Sequence, residues 1–283
     1  MRLLRVGNPG AERPAVLATD GSVLDISSVL SDLDDRTLDD ASLDRVRSAV
    51  SAGGLPKLDP TGERVGAPIA RPGKVVCIGL NYRDHARETG AEIPAEPIVF
   101  MKDPWTVVGP DDTVPIPRGS TKTDYEAELA IVIGRTARYL DSPSDAAAHI
   151  AGYALSHDVS EREFQLERGG QWDKGKSCEA FNPLGPWLVT RDEFDPSSAA
   201  VRLWVNGIAR QDSNTDQLIF DVPTVVHYLS QFMVLYPGDV INTGTPAGVA
   251  LGMADPKPYL RDGDVVEAEI EGLGRMRQTF EQA

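Results

Sequence analysis

Cysteine is scarce: Cys77 and Cys178 are the only two, far apart and in no CxxC arrangement. That excludes a disulfide framework and a thiolate zinc site, and it fits a reducing compartment. Basic charge is also short, with 28 Lys and Arg against 43 Asp and Glu, a net charge of -15, and no local Lys/Arg cluster offsets it. Such a chain repels phosphate backbones and anionic lipid surfaces, so neither nucleic acid nor membrane is an expected partner. Long apolar runs are absent as well. No segment approaches the roughly 18 uninterrupted apolar residues of a spanning helix, and no signal-length apolar run follows the opening MRLLRVGNPG. A cytoplasmic protein is expected. Fixed-period repeats and low-complexity tracts are missing too. What is present suffices for packing: 283 residues, 41% of them hydrophobic, make one large domain or one large and one small.

The first 25 or so residues alternate apolar and polar with Gly-containing breaks, which predicts a short strand meander ending in a helix-start signal at Asp25 to Ser28. Leu and Val then recur at helical spacing over 29–53. The stretch GGLPKLDPTGERVGAPIARPGK is linker chemistry, rich in Gly and Pro. The boundary falls there, giving a small N-terminal α/β unit over 1–70 and a larger domain over 71–283. From Val75 onward, β-branched apolar runs (VVCIGL, PIVFM, AELAIVIG, GYALSHDVS, PWLVT, VRLWVNG, DVINTG, DVVEAEIEG) predict strands. Helix candidates are Tyr82 to Thr89, Asp141 to His149, Glu161 to Arg168 and Val222 to Phe232. An α+β, mostly β domain follows, and a doubly wound nucleotide fold is disfavoured because strands and helices do not alternate.

Chemistry concentrates in a few places. In Asp124-Tyr-Glu-Ala-Glu-Leu-Ala-Ile-Val-Ile-Gly134, a strand puts Glu126 and Glu128 on one face and Ala127, Leu129, Ile131 and Ile133 on the other. The remaining members of the glutamate face, Ala130 and Val132, are apolar, so that face is partly buried as well. Two buried like charges call for a cation or a proton; on a solvated strand end they would call for neither. A second apolar run, GYALSHDVS, ends in Asp158. Two Glu and one Asp suit a hard cation, Mg²⁺ or Mn²⁺, better than zinc. His157 points the other way, to core or to a supporting contact. After the strand Val75 to Leu80, His85 and Glu88 are i and i+3 on one helical face, where a carboxylate can orient an imidazole as general base for water; a surface ion pair has the same spacing. Lys176, in Gly-Lys-Ser, can reach a pocket and neutralise an oxyanion. Its likeness to a phosphate loop is superficial, since no strand precedes Gly170. Cys178 has no partnered His nearby in sequence to make it a nucleophile. The loop Asn242-Thr-Gly-Thr-Pro-Ala-Gly248 can bind a carboxylate through backbone N–H groups and the Thr245 hydroxyl, or can be a plain turn.

In order along the chain, GLNYRDHARE, the Tyr-Glu-x-Glu-Leu strand, GYALSHDVSEREFQ, KGKSCEAFNPLGPW and GDVINTGTPAGV resemble the fumarylacetoacetate hydrolase family from about Lys74 to Phe280. The resemblance implies a mixed β-roll catalytic domain, a homodimer, and one Mg²⁺ or Mn²⁺ per subunit on Glu126, Glu128 and Asp158. It implies a water-activating pair, His85 and Glu88, on a mobile lid, Lys176 as oxyanion partner, and Gln165 and Thr245, beside Gly244, as substrate contacts. The expected substrate is a small 2-oxo acid, and the N-terminal opening is similar to bacterial members acting on diketo acids or sugar acids. Two rival readings remain at this stage: decarboxylation or isomerisation of a 2-oxo acid through the same enolate, and a non-catalytic metal-binding protein.

Overall fold

The computed structural model describes all 283 residues. Its centre is one large mixed sheet. From one edge to the other its strands are Lys57–Leu58, Val23–Asp25, Arg13–Leu17, Arg2–Val6, Asn182–Thr190, Ile150–His157, Ala127–Ile133, Val240–Asn242, Val75–Gly79 and Ile98–Lys102. All of these pairings are antiparallel except that of Val240–Asn242 with Val75–Gly79. A second, five-stranded sheet carries Ile208–Asn214, Ala200–Val205, Val265–Ile270, Gly274–Gln282 and Val114–Ile116.

The Ala127–Ile133 strand is buried along its whole length. Ala127, Leu129, Ile131 and Ile133 enter a 35-residue core shared with the second sheet and the Val222–Ser230 helix. Ala130 and Val132 enter a 19-residue core on the other side, with Leu33, Leu43 and Val46 of the N-terminal segment. A strand in the middle of two cores has no solvated end, and the two glutamates at its head are buried with it.

The N-terminal segment extends this sheet. Arg2 and Leu3 pair with Val189 and Leu188, and the 19-residue core draws on residues from both sides of position 70. Its helix departs from the expected one. It runs Asp40–Ala52, capped by Asp39, whose side chain accepts from the Ser42 N–H at 2.6 Å. Asp25 makes an Asx turn with Ser27 rather than capping a helix. Residues 32–37 fold into a turn in which Thr37 Oγ1 donates to the Asp32 carbonyl at 2.7 Å and accepts from the Asp34 N–H at 2.9 Å. Short polar side chains that bond their own backbone compete with helix here, and the helical spacing of the leucines loses to them. The segment at 141–149 forms a 3-10 helix, Pro143–His149, and the one at 161–168 a π-turn, Glu163–Glu167. The candidates at Tyr82 and Val222 form as α-helices, Arg83–Thr89 and Val222–Ser230.

Candidate active site

Glu126, Glu128 and Asp158 converge, each offering a carboxylate oxygen within 4.8 Å of the others, and all three are buried. The strand register brings them together: Ala127 pairs with His157, so the residues flanking that pair, Glu126 and Asp158, meet across the ladder, where the Asp158 N–H donates to the Glu126 carbonyl at 2.9 Å. Three buried carboxylates require compensation. Lys176 Nζ donates to Glu126 Oε2 and to Asp158 Oδ2, each at 2.8 Å. Arg162 spans Glu126 Oε1 at 2.6 Å and Asp124 Oδ2 at 2.8 Å. Lys102 pairs with the second oxygen of Asp158 and donates to the Val159 carbonyl at 3.0 Å. Four carboxylates, counting Asp124, thus face three cations.

One surplus negative charge remains, and it falls on Glu128. The sole hydrogen bond to its carboxylate comes from the Gly244 N–H at 2.8 Å. Burial, then the Asp158 and Glu126 charges, push its pKa well above the ordinary carboxylate range. Burial acts the same way on Glu126, but Lys176 and Arg162 overcome it and hold that carboxylate below its ordinary value. An all-oxygen donor set with a surplus negative charge and one carboxylate oxygen without a protein partner fits a divalent cation. With Glu128 ionised, such a cation would turn the surplus of one negative charge into one positive, and the site would then attract an anion.

A cavity of about 250 Å³ opens above these groups. Glu126, Glu128, Arg162, Gln165, Lys176 and Thr245 line one end, and Ile78, Ile98, Phe100, Leu166, Trp172 and Leu251 line the rest, with His85 and Thr89 on the overlying helix Arg83–Thr89. His85 Nδ1 lies 3.2 Å from Glu88 Oε2. A carboxylate only accepts, so Nδ1 carries the proton and Nε2 is the free acceptor. Glu88 is itself held, its other oxygen accepting from the Gly248 N–H at 2.9 Å. Two larger clefts, about 700 and 590 Å³, run along Arg5 and Arg71, and none of these groups reaches them.

His85, Glu88, Glu126, Glu128, Asp158, Gln165, Lys176, Gly244 and Thr245 each lie at this cavity or bond to its lining, but the glycine loop behaves differently from expectation. Its N–H groups bind carboxylates of the protein itself, Gly244 to Glu128 and Gly248 to Glu88, and in the 3-10 turn that follows Ala250 and Leu251 donate to Asp124. The Thr245 hydroxyl donates to the Ala127 carbonyl at 3.0 Å and accepts from Gln211 at 2.8 Å, so it is committed as well. Gln165 accepts from Arg162 on its carbonyl oxygen at 3.0 Å, and its amide N–H₂ has no protein partner at the cavity. His157 faces the core and bonds Gln278 at 2.9 Å. Burial raises the Cys178 thiol pKa to about 11, so it is no nucleophile at neutral pH.

Sequence reasoning missed Asp124, Lys102 and Arg162. Asp124 had a signal, two residues before Glu126 in the same alternation. Lys102 had a fainter one, closing the alternation Ile98, Phe100, Lys102 at the end of an apolar run. Arg162 had none within Ser-Glu-Arg-Glu, where a charged run also suits a solvated surface.

Residues 74–281 match the family model of the fumarylacetoacetate (FAA) hydrolase C-terminal domain. The fumarylacetoacetate hydrolase of psychrophilic Exiguobacterium antarcticum is 37% identical with a TM-score of 0.85, each chain covered in full. The 5-carboxymethyl-2-hydroxymuconate delta-isomerase of Mycobacterium smegmatis is 33% identical with a TM-score of 0.79, covering 100% of this chain and 99% of the other. The maleylpyruvate hydrolase of Sphingobium sp. SYK-6, solved with manganese(II) and pyruvate, is 29% identical with a TM-score of 0.82, again over both whole chains. The chain belongs to the fumarylacetoacetate hydrolase family, and it is an enzyme of that family's hydrolase and isomerase kind.

Proposed function

We propose that this enzyme hydrolyses a carbon–carbon bond of a small 2,4-diketo acid, yielding pyruvate or a related 2-oxo acid and a second carboxylic acid. The observation that carries the reading is an imidazole with one oriented, unengaged nitrogen on the same small cavity as two buried glutamates and a buried lysine. Mg²⁺ or Mn²⁺ on Glu126, Glu128 and Asp158 would polarise the 2-oxo group and its carboxylate.

The protein's own groups supply the rest. His85 Nε2 takes a proton from water as its oxygen adds to the C4 carbonyl, and Glu88 stabilises the imidazolium. The C3–C4 bond then breaks, its electron pair passing to C3 and into the adjoining 2-oxo group. Lys176 and the Gln165 amide hold the negative charge that develops there. The proton held on His85 returns to C3, and the acyl half leaves as a carboxylic acid that ionises. Closure of the Arg83–Thr89 helix over the cavity excludes bulk water.

A second reading keeps the enolate and omits water, as in isomerisation or decarboxylation of a 2-oxo diacid, and the similar isomerase of Mycobacterium smegmatis favours it. The two separate on one experiment. Metal-stripped protein is given Mg²⁺ or Mn²⁺ with 2,4-diketo acids and, separately, oxaloacetate. Metal-dependent pyruvate with an equimolar second acid is expected, lost in Glu126→Ala and reduced about 10²–10⁴-fold in His85→Ala. CO₂ from oxaloacetate alone, indifferent to His85→Ala, would establish the second reading instead. Assembly as a homodimer is proposed from the family likeness, and sedimentation analysis tests it.

A further inference from the structure

The proposed reaction leaves open which acyl group departs, and the wall of the cavity bears on this. Ile98, Phe100 and Lys102 alternate along one strand and therefore share a face. That face changes character with distance from the carboxylates. Lys102 pairs with Asp158 at the buried end. Phe100, two residues or about 7 Å further along, lies under the Lys176 ammonium, 5.0 Å from ring centre to Nζ. Ile98 comes next, at the mouth.

Trp172 completes this wall. Its ring meets Phe100 edge-on at 5.3 Å, and a Cβ on Gly79 would come within 2.8 Å of it. Gly79, opposite Ile98 in the ladder, thus makes room for the indole. Leu166 on the π-turn lines the mouth too and, like Ile98, is apolar and exposed.

Charge at this end is as telling. The only cations lining the cavity are Arg162 and Lys176, and both are committed to buried carboxylates at the other end. Arg83 and Arg87 of the overlying helix are exposed and do not line it. The Thr89 hydroxyl donates to the His85 carbonyl at 3.0 Å. Nothing here compensates a second carboxylate, which would lose its hydration for no partner, and no set of donors and acceptors receives a row of hydroxyls. At about 250 Å³ the cavity also falls below the roughly 300–1,000 Å³ of sites for drug-sized ligands.

We infer that the substrate is a 2,4-diketo monocarboxylic acid with a short apolar acyl group, lying along Phe100, Ile98 and Trp172, rather than a dicarboxylic or polyhydroxylated acid. The inference rests on the proposed reaction, and two measurements keep the two apart. In the first, the Mg²⁺-loaded enzyme is given 2,4-dioxo acids of equal chain length ending in methyl, carboxylate or hydroxymethyl. The methyl-ended acid is expected to have a kcat/KM at least about 10-fold above either of the others, rising about fourfold per added methylene until the wall is filled. In the second, calorimetry measures binding of 2-oxoheptanoate and 2-oxopimelate, which lack the 4-oxo group and are not cleaved. The monoacid is expected to bind at least about 10-fold tighter. Ile98→Arg, at a position already 37% exposed and so tolerant of the change, should reverse that preference.

Equal or tighter binding of the diacid, or equal or faster cleavage of the diacid or the hydroxylated acid, overturns the inference. Preferential binding of the monoacid without cleavage of any dioxo acid upholds the inference for the site and overturns the hydrolase reading.

Discussion

His157 shows how much a single buried side chain can govern. Fully buried and bonded to Gln278, it is held neutral by burial, its pKa lowered from 6.5 to about 4. The unfolded chain therefore takes up this proton first as pH falls, so stability is complete above about pH 6.5 and declines from there to about pH 4. The loss is on the order of 3 kcal/mol at about 1.4 kcal/mol per unit. Urea unfolding across that range should show the slope, and His157→Gln should flatten it. Lys102 works at the same scale through charge: fully buried, it neutralises Asp158 from the side away from Lys176. The two lysines together let an aspartate sit at the centre of a protein whose net charge is already -15.

Among the elements, the short helix Arg83–Thr89 carries the proposed base His85, and few bonds hold it. Glu88 accepts from the Gly248 N–H at 2.9 Å, and Asp84 accepts from the Ser213 hydroxyl at 2.5 Å. Gly248 has φ +109°, and a Cβ there would lie 1.9 Å from the Arg210 carbonyl oxygen. Gly248→Ala must shift the loop and with it the anchor of Glu88. Amide exchange over 83–89 should accelerate, and kcat/KM should fall on the order of 10²-fold, since a displacement of about 1 Å at a positioned base has that effect. An unchanged rate would mean that the His85–Glu88 pair does not depend on this anchor.

For the molecule as a whole, the large sheet has no seam at residue 70. Arg2–Val6 lies between Arg13–Leu17 and Asn182–Thr190, and Leu3, Val16, Leu33 and Leu43 fill the same core as Ala130, Val132 and Val240. Deleting residues 1–70 would bare that core and the flank of the Asn182–Thr190 strand. The remainder is expected to lose cooperative unfolding by calorimetry. A truncated chain that melts cooperatively would show that residues 71–283 fold alone. No helix here is long and apolar enough to cross a membrane.

The alternation of Glu126 and Glu128 with Ala127 and Leu129, the spacing of His85 and Glu88, and the apolar runs that became strands were all local patterns, because period-2 and period-3.6 repeats are set by backbone geometry within a few residues. The family likeness joined these pieces into one site. Tertiary structure decided what depends on partners distant in the chain. It turned the loop's N–H groups onto Glu128 and Glu88, brought Lys102 and Arg162 to carboxylates 56 and 36 residues away, and put Ile98, Phe100 and Trp172 on one wall. It also delayed the start of the helix expected over 29–53 to Asp40, because side chains bonding their own backbone over 32–37 outcompeted helical spacing. A strand's alternation specifies which side chains share a face; what that face meets depends on the register and crossing of other strands, which no short stretch of the chain encodes.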